Sequence, residues 1–101
     1  RTLAGTNEKG NQLLLVVADG RKKGYSEGLS LHEAAEVMRL HGCYDAVNFD
    51  GGGSSVMLAA TNGPLSLINR PCGGTYMRPV PVMLGVRSRN NGKHVLKGKK
   101  Q

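Results

Sequence analysis

The stretch Asn48-Phe49-Asp50-Gly51-Gly52-Gly53-Ser54-Ser55 constrains this chain more than any other. An apolar run over residues 46–49 delivers an aspartate, three glycines and two serines follow, and a second apolar run begins at Val56. Three consecutive glycines are costly to order, because glycine loses more backbone freedom on folding than any other residue. Between two strand-like runs they mark either an unusual bend or a place where backbone N–H groups approach a ligand closely. Asp50 offers an acid or an anion, and Ser54 and Ser55 offer hydroxyl groups. No Gly-Lys-Ser/Thr follows, so the segment is not a nucleotide-binding P-loop. The residue types alone fit a glycine-rich hairpin with a turn aspartate equally well.

The flanking sequence supplies regular elements on both sides. Residues 1–5 read as a short strand, the cluster Asn7-Glu8-Lys9-Gly10-Asn11 as a turn, and the apolar run from Gln12 to Ala18 as a strand buried on both faces. Residues 20–29 form a polar loop with glycine at every third or fourth position. Ser30 with Glu33 three residues later forms a capping box that opens a helix. That helix places Leu31, Ala34, Ala35 and Met38 on one face, and His41 near its end. Gly42 is suited to end it in a left-handed conformation. Strands are predicted over 46–49, 56–60, 65–68 and 82–86, with Asn62-Gly63 turning the second into the third. Pro79 and Pro81 make the last an edge strand. The tally is six or seven strands and one helix. The expected class is α+β, a mixed, mostly antiparallel sheet with the helix packed on it.

With 101 residues the chain holds at most one domain. Its net charge of +7 misleads as an average. Six of the fourteen Lys/Arg lie from Arg87 onward with no acid among them, which leaves eight against seven Asp/Glu in residues 1–86, a net of +1. Residues 87–101 are therefore expected to be a solvated, disordered basic tail. No aromatic residue is interleaved with these charges, so a nucleic-acid partner is not expected. The two cysteines, Cys43 and Cys72, could form one bridge or none. There is no Cys-x-x-Cys or His-x-x-x-His pair, and no metal site is expected. No apolar stretch approaches the roughly 20 residues that a membrane span requires.

Polar clusters fall at the strand ends: Asp19-Gly20-Arg21, the Asp50 turn, Asn69-Arg70-Pro71 and Arg78-Pro79. Guanidinium forks bind phosphate oxygens in pairs, glycine-turn N–H groups can add a nest for the same anion, and carboxylates beside a sugar can act as acid, base or nucleophile. A sugar phosphate would use all of these groups. Taken singly, each also fits an exposed turn salt bridge or loop charge.

The motifs Val-Ala-Asp-Gly-Arg at 17–21, Gly-Tyr-Ser-Glu-Gly-Leu-Ser-Leu at 24–31 and Tyr-Asp-Ala-Val-Asn-Phe-Asp-Gly-Gly-Gly-Ser-Ser at 44–55 occur in order with Asn-Arg-Pro at 69–71 and Arg-Pro-Val at 78–80. This series resembles the phosphodiester glycosidase family over residues 1–86. The resemblance implies hydrolysis of a sugar joined through its anomeric carbon to a phosphate, with no cofactor, in a secreted, cell-envelope or lumenal setting. It implies Asp50 as the catalytic carboxylate and Asp19 as the second choice. Arg21, Gly51, Gly52, Gly53, Ser54, Ser55, Asn69, Arg70 and Arg78 would be substrate contacts. It further implies that residues 1–86 are the C-terminal part of a longer domain, whose N-terminal half would be a partner at the same pocket. Family members usually carry an acid between Asn-Arg-Pro and Arg-Pro-Val, whereas residues 72–77 here have none. A non-catalytic module that binds phosphorylated glycans, or an inactive domain fragment, is the alternative. A third reading is a basic interaction module acting through the tail.

Overall fold

A run such as Leu13-Leu14-Leu15-Val16-Val17 has no polar side chain to satisfy its backbone, so the backbone must pair with another strand. In the computed structural model, which describes residues 1–73 and 77–89, it pairs as β2 (Leu13–Val17) with β1 (Thr2–Thr6), antiparallel, Thr2 opposite Val17 and Thr6 opposite Leu13. The turn between them is held by Asn7, whose Oδ1 accepts the N–H groups of Asn11 (3.0 Å) and Gln12 (3.1 Å). On the other side of β1 lies β3 (Asp45–Asn48), also antiparallel, giving the order β2-β1-β3. A single 3-10 turn over Gly52–Ser54 follows. β4 (Leu58–Ala59) and β5 (Ser66–Leu67) then form a separate two-stranded antiparallel ribbon. Every strand pair among the described residues is antiparallel, and the class is α+β as expected.

The helix, α1 (Leu31–Leu40), begins and ends where local chemistry requires. The Ser30 hydroxyl accepts the Glu33 N–H at 3.1 Å, and the Glu33 carboxylate accepts the Ser30 N–H at 3.0 Å. At the other end Gly42 takes φ +87°, its N–H donates to the Arg39 carbonyl, and the Cys43 N–H donates to the Met38 carbonyl. These two bonds complete a Schellman motif. The helix buries Ala34 and Met38 against Leu3 of β1, with Leu14, Val16, Leu29 and Cys43 packed around them.

The structure corrects three expectations. β2 is not buried on both faces. Val16 and Leu14 lie opposite Leu3 and Gly5 and share the helix side, so Leu13, Leu15 and Val17 face away, and Leu13 is 53% exposed. Two apolar faces need two covering layers, and α1 supplies one. Residues 82–86 form no strand; Val82 and Met83 are 83% and 81% exposed. A strand exists only where a neighbouring edge takes up its hydrogen bonds, and Pro79 and Pro81 remove two donors just before this segment. Leu31 and Ala35, assigned to the core face, are exposed, because the contact with the sheet is only as wide as Ala34 and Met38. The ribbon strands are also shorter than expected, and the total is five strands among the described residues. Most of the basic tail, from residue 90 onward, and residues 74–76 of the loop before Arg78 lie outside the described residues. No helix among the described residues is long and apolar enough to cross a membrane.

Gly5 shows how closely the helix end approaches the sheet. A Cβ there would lie 2.6 Å from Cys43 Sγ, 2.9 Å from Met38 Cε and 3.0 Å from the Asp45 carbonyl oxygen. The carbonyl cannot rotate away as a side-chain end can. Gly5→Ala is therefore expected to lower folding stability by about 1–3 kcal/mol, the usual cost of overpacking a core. Urea denaturation would show this as a lower midpoint with an unchanged slope.

Candidate active site

The loops at one end of the structure are tied together by a single carboxylate. Asp19, just after β2, accepts the Arg70 backbone N–H on both oxygens (3.1 and 3.0 Å), the Asn69 amide on Oδ1 (3.0 Å) and the Tyr25 hydroxyl on Oδ2 (2.9 Å). Its main-chain carbonyl accepts the Ser26 hydroxyl at 2.7 Å. Asn69 extends the network: Nδ2 also donates to the Ser55 carbonyl at 2.6 Å, and Oδ1 accepts the Met57 N–H at 2.8 Å. Residues 19, 25–26, 55–57 and 69–70 thus become one unit. Burial by itself raises the Asp19 carboxyl, but the Arg70 N–H, the Asn69 amide, the Tyr25 hydroxyl and the Lys22 charge together bring it below the ordinary aspartate range.

This unit borders a pocket of about 460 Å³, a size that suits a small ligand such as a sugar phosphate. Of the residues singled out from sequence, Asp19, Arg21, Asp50, Gly51, Gly52, Gly53, Ser55 and Arg78 line it. The glycine turn is built to accept cations at close range. Gly52 has φ +59°, and a Cβ there would stand 3.2 Å from an Arg21 guanidinium nitrogen. The Arg78 guanidinium lies 3.5 Å from the corresponding point on Gly53. Arg78 also donates through Nε and an Nη to the Ser54 hydroxyl at 3.1 and 2.6 Å. Arg21 itself sits at φ +54°, where a side-chain residue is strained. Asp50 is exposed, and its Oδ1 accepts the N–H of the adjacent Gly51 at 2.9 Å. Ser55 is only 3% exposed, and its hydroxyl has no hydrogen-bond partner among the described residues. A buried hydroxyl left unpaired costs about 1–3 kcal/mol, and this one belongs to a residue of the pocket wall.

Asn69, Arg70 and Ser54 are not among the lining residues. Asn69 bonds Asp19 and the chain after the glycine turn, while the Arg70 guanidinium lies over the Tyr25 ring, 4.7 Å from its centroid. Cys43 and Cys72 are free thiols, the second in the pocket wall. No group of three His, Cys, Asp or Glu side chains among the described residues is placed to hold a metal.

Among the residues not singled out from sequence, Tyr25 holds Asp19 and Glu27 lines the pocket. The signal that could have found them is the glycine spacing of residues 20–28. Gly20 and Gly28 approach so closely that a Cβ on either would meet the other's Cα at 3.1–3.2 Å. That crossing folds the polar loop back over the site.

Comparison with known proteins matches residues 1–87 to the family Phosphodiester glycosidase. A mouse (Mus musculus) protein, N-acetylglucosamine-1-phosphodiester alpha-N-acetylglucosaminidase, is 41% identical over 66 residues. The matched stretch is 65% of this chain and spans 12% of the length of that relative. No solved structure matches the chain.

A carboxyl whose folded pKa lies below its unfolded value of about 3.9 stabilises the fold fully above that value and loses the contribution as pH falls through the folded pKa. Asp19→Asn is therefore expected to lower the melting temperature at pH 7. The gap from wild type should close on acidification below about pH 4. Thermal melts of both proteins from pH 7 to pH 2 test this; a gap that stays constant would contradict it.

Proposed function

Because the chain belongs to the phosphodiester glycosidase family, we propose that it carries the reacting part of a site that hydrolyses sugar-1-phosphodiesters, releasing the sugar and leaving a phosphomonoester. The observation that best supports this reading is the gathering of Asp50 and two guanidinium groups around one glycine turn. Arg21 and Arg78 would hold the phosphate oxygens, and the glycine backbone lets the anion come close. Ser54 accepts two N–H bonds from Arg78 and so would hold that guanidinium at the pocket wall. The Ser55 hydroxyl, unpaired among the described residues, would be a further donor. Asp50 is exposed, lines the pocket and makes no side-chain hydrogen bond among the described residues, which suits a carboxylate that handles a proton. Asp19 has both oxygens engaged, and its role in this reading is to position Asn69, Arg70 and the chain after the glycine turn.

The mouse relative is named for action on an N-acetylglucosamine-1-phosphodiester, so such a diester is the first substrate to try. The N-terminal half of a longer domain would supply the facing wall of the pocket, and the setting would be extracytoplasmic. In the full-length protein, Asp50→Asn is expected to lower sugar release by at least about 100-fold with the melting temperature nearly unchanged. Wild-type turnover by that variant would overturn the assignment. A wild-type protein that binds the diester and never yields product would instead be a phosphorylated-glycan-binding module.

A further inference from the structure

Cleavage of a glycosidic bond ordinarily engages two carboxyl groups, one for each side of the reacting carbon. Three carboxylates line the pocket: Asp19, Glu27 and Asp50. Asp19 is unsuited to proton transfer, since donors fixed by the fold occupy both of its oxygens. Glu27 is in the opposite state. It is an exposed residue of the pocket wall, and its carboxylate makes no hydrogen bond or ion pair among the described residues.

The backbone that carries Glu27 is nevertheless held firmly. Ser26, immediately before it, exchanges backbone hydrogen bonds with Lys22 (both 2.9 Å) and donates its hydroxyl to the Asp19 carbonyl. Gly28, immediately after it, is pressed against Gly20, and φ at Gly28 is +90°. The polar loop thus fixes both neighbours of Glu27 to the Asp19 unit while leaving the carboxylate itself free. The Ser55 hydroxyl in the same wall is buried and unpaired among the described residues. The other charged groups sharing the pocket with Glu27 are Arg1, Arg21, Arg78, Asp19 and Asp50.

The geometry points to Glu27 as the second catalytic carboxyl group of this site, acting with Asp50. This rests on the glycosidase reading above. In the step it implies, Asp50 takes a proton from a water molecule as the water oxygen bonds to the anomeric carbon. The bond between that carbon and the bridging phosphate oxygen breaks, the bonding pair stays on the oxygen, and Glu27 gives that oxygen its proton. The products are the free sugar and a phosphomonoester. Glu27 is then reprotonated from solvent, and Asp50 returns its proton to solvent.

The test measures sugar release from N-acetylglucosamine 1-(methyl phosphate) by the full-length wild type and its Glu27→Gln, Glu27→Asp and Asp50→Asn variants, with full pH profiles and melting temperatures. Glu27→Gln is expected to lower kcat by about 100-fold or more, leave KM within a few-fold, remove the basic limb of the pH profile and leave the melting temperature unchanged. Glu27→Asp should keep that limb with part of the activity. A Glu27→Gln variant that keeps wild-type kcat and both pH limbs overturns the inference. So does one that loses kcat with an unaltered profile and a lowered melting temperature, since that behaviour belongs to a wall residue. If the wild type turns over and Asp50→Asn does not, these outcomes fall on Glu27 alone. A wild type that releases no sugar overturns both readings.

Discussion

The candidate site depends on the way one carboxylate is satisfied. Asp19 stands at the end of a strand, partly withdrawn from water, and a carboxylate in that position must find donors. It finds them in Arg70, Asn69 and Tyr25, at separations of up to 51 residues. Because the Asn69 side chain also bonds Ser55 and Met57, the same interaction fixes the chain that leaves the glycine turn. Charged acceptors make the stronger class of hydrogen bond, so the loops have a rigid common point although little apolar packing lies beneath them. The pocket wall is thereby organised largely through polar contacts, with Leu29 joining it to the Leu3–Ala34–Met38 core.

Glycine has a distinct task at each edge of this arrangement. At Gly52 it removes a side chain that would crowd the Arg21 guanidinium, and at Gly53 the Arg78 guanidinium lies at contact distance. At Gly20 and Gly28 it lets two backbone segments cross in van der Waals contact, which turns the polar loop back toward Asp19. At Gly42 it stops the helix, and at Gly5 it makes room for the helix end. Close approach accounts for Gly5, Gly20, Gly28 and Gly52, whereas Gly10, Gly24, Gly42 and Gly63 stand in open space at positive φ.

The apolar surface tells a complementary story. β2 and the segment 82–86 have the composition of buried strands, yet the first is only half-buried, with Leu13 exposed, and nearly all of the second stands in solvent. Periodicity reports how much cover a segment could use, and the fold decides how much it receives. This is why the hairpins and the helix were legible in the sequence to within a few residues, whereas the burial of β2 and a strand at 82–86 were not. The same division applies to the site. Asp50, the glycines and Arg78 were legible because they stand together in motifs. The separate fates of Arg70, which lies on Tyr25, and of Glu27, which lines the pocket, were not.

By itself the sequence determined whatever is decided within a few residues: the Ser30–Glu33 capping box, the Gly42 stop, the Asn7 turn, and the glycine bend behind Asp50. Those outcomes rest on local hydrogen bonds and on the φ angles a residue can adopt, which do not wait for the rest of the chain. Only the tertiary structure decided which of the three pocket carboxylates is saturated and which two stay open. That choice turns on donors delivered from residues 69 and 70 to residue 19, and no local pattern around Asp19 encodes their arrival.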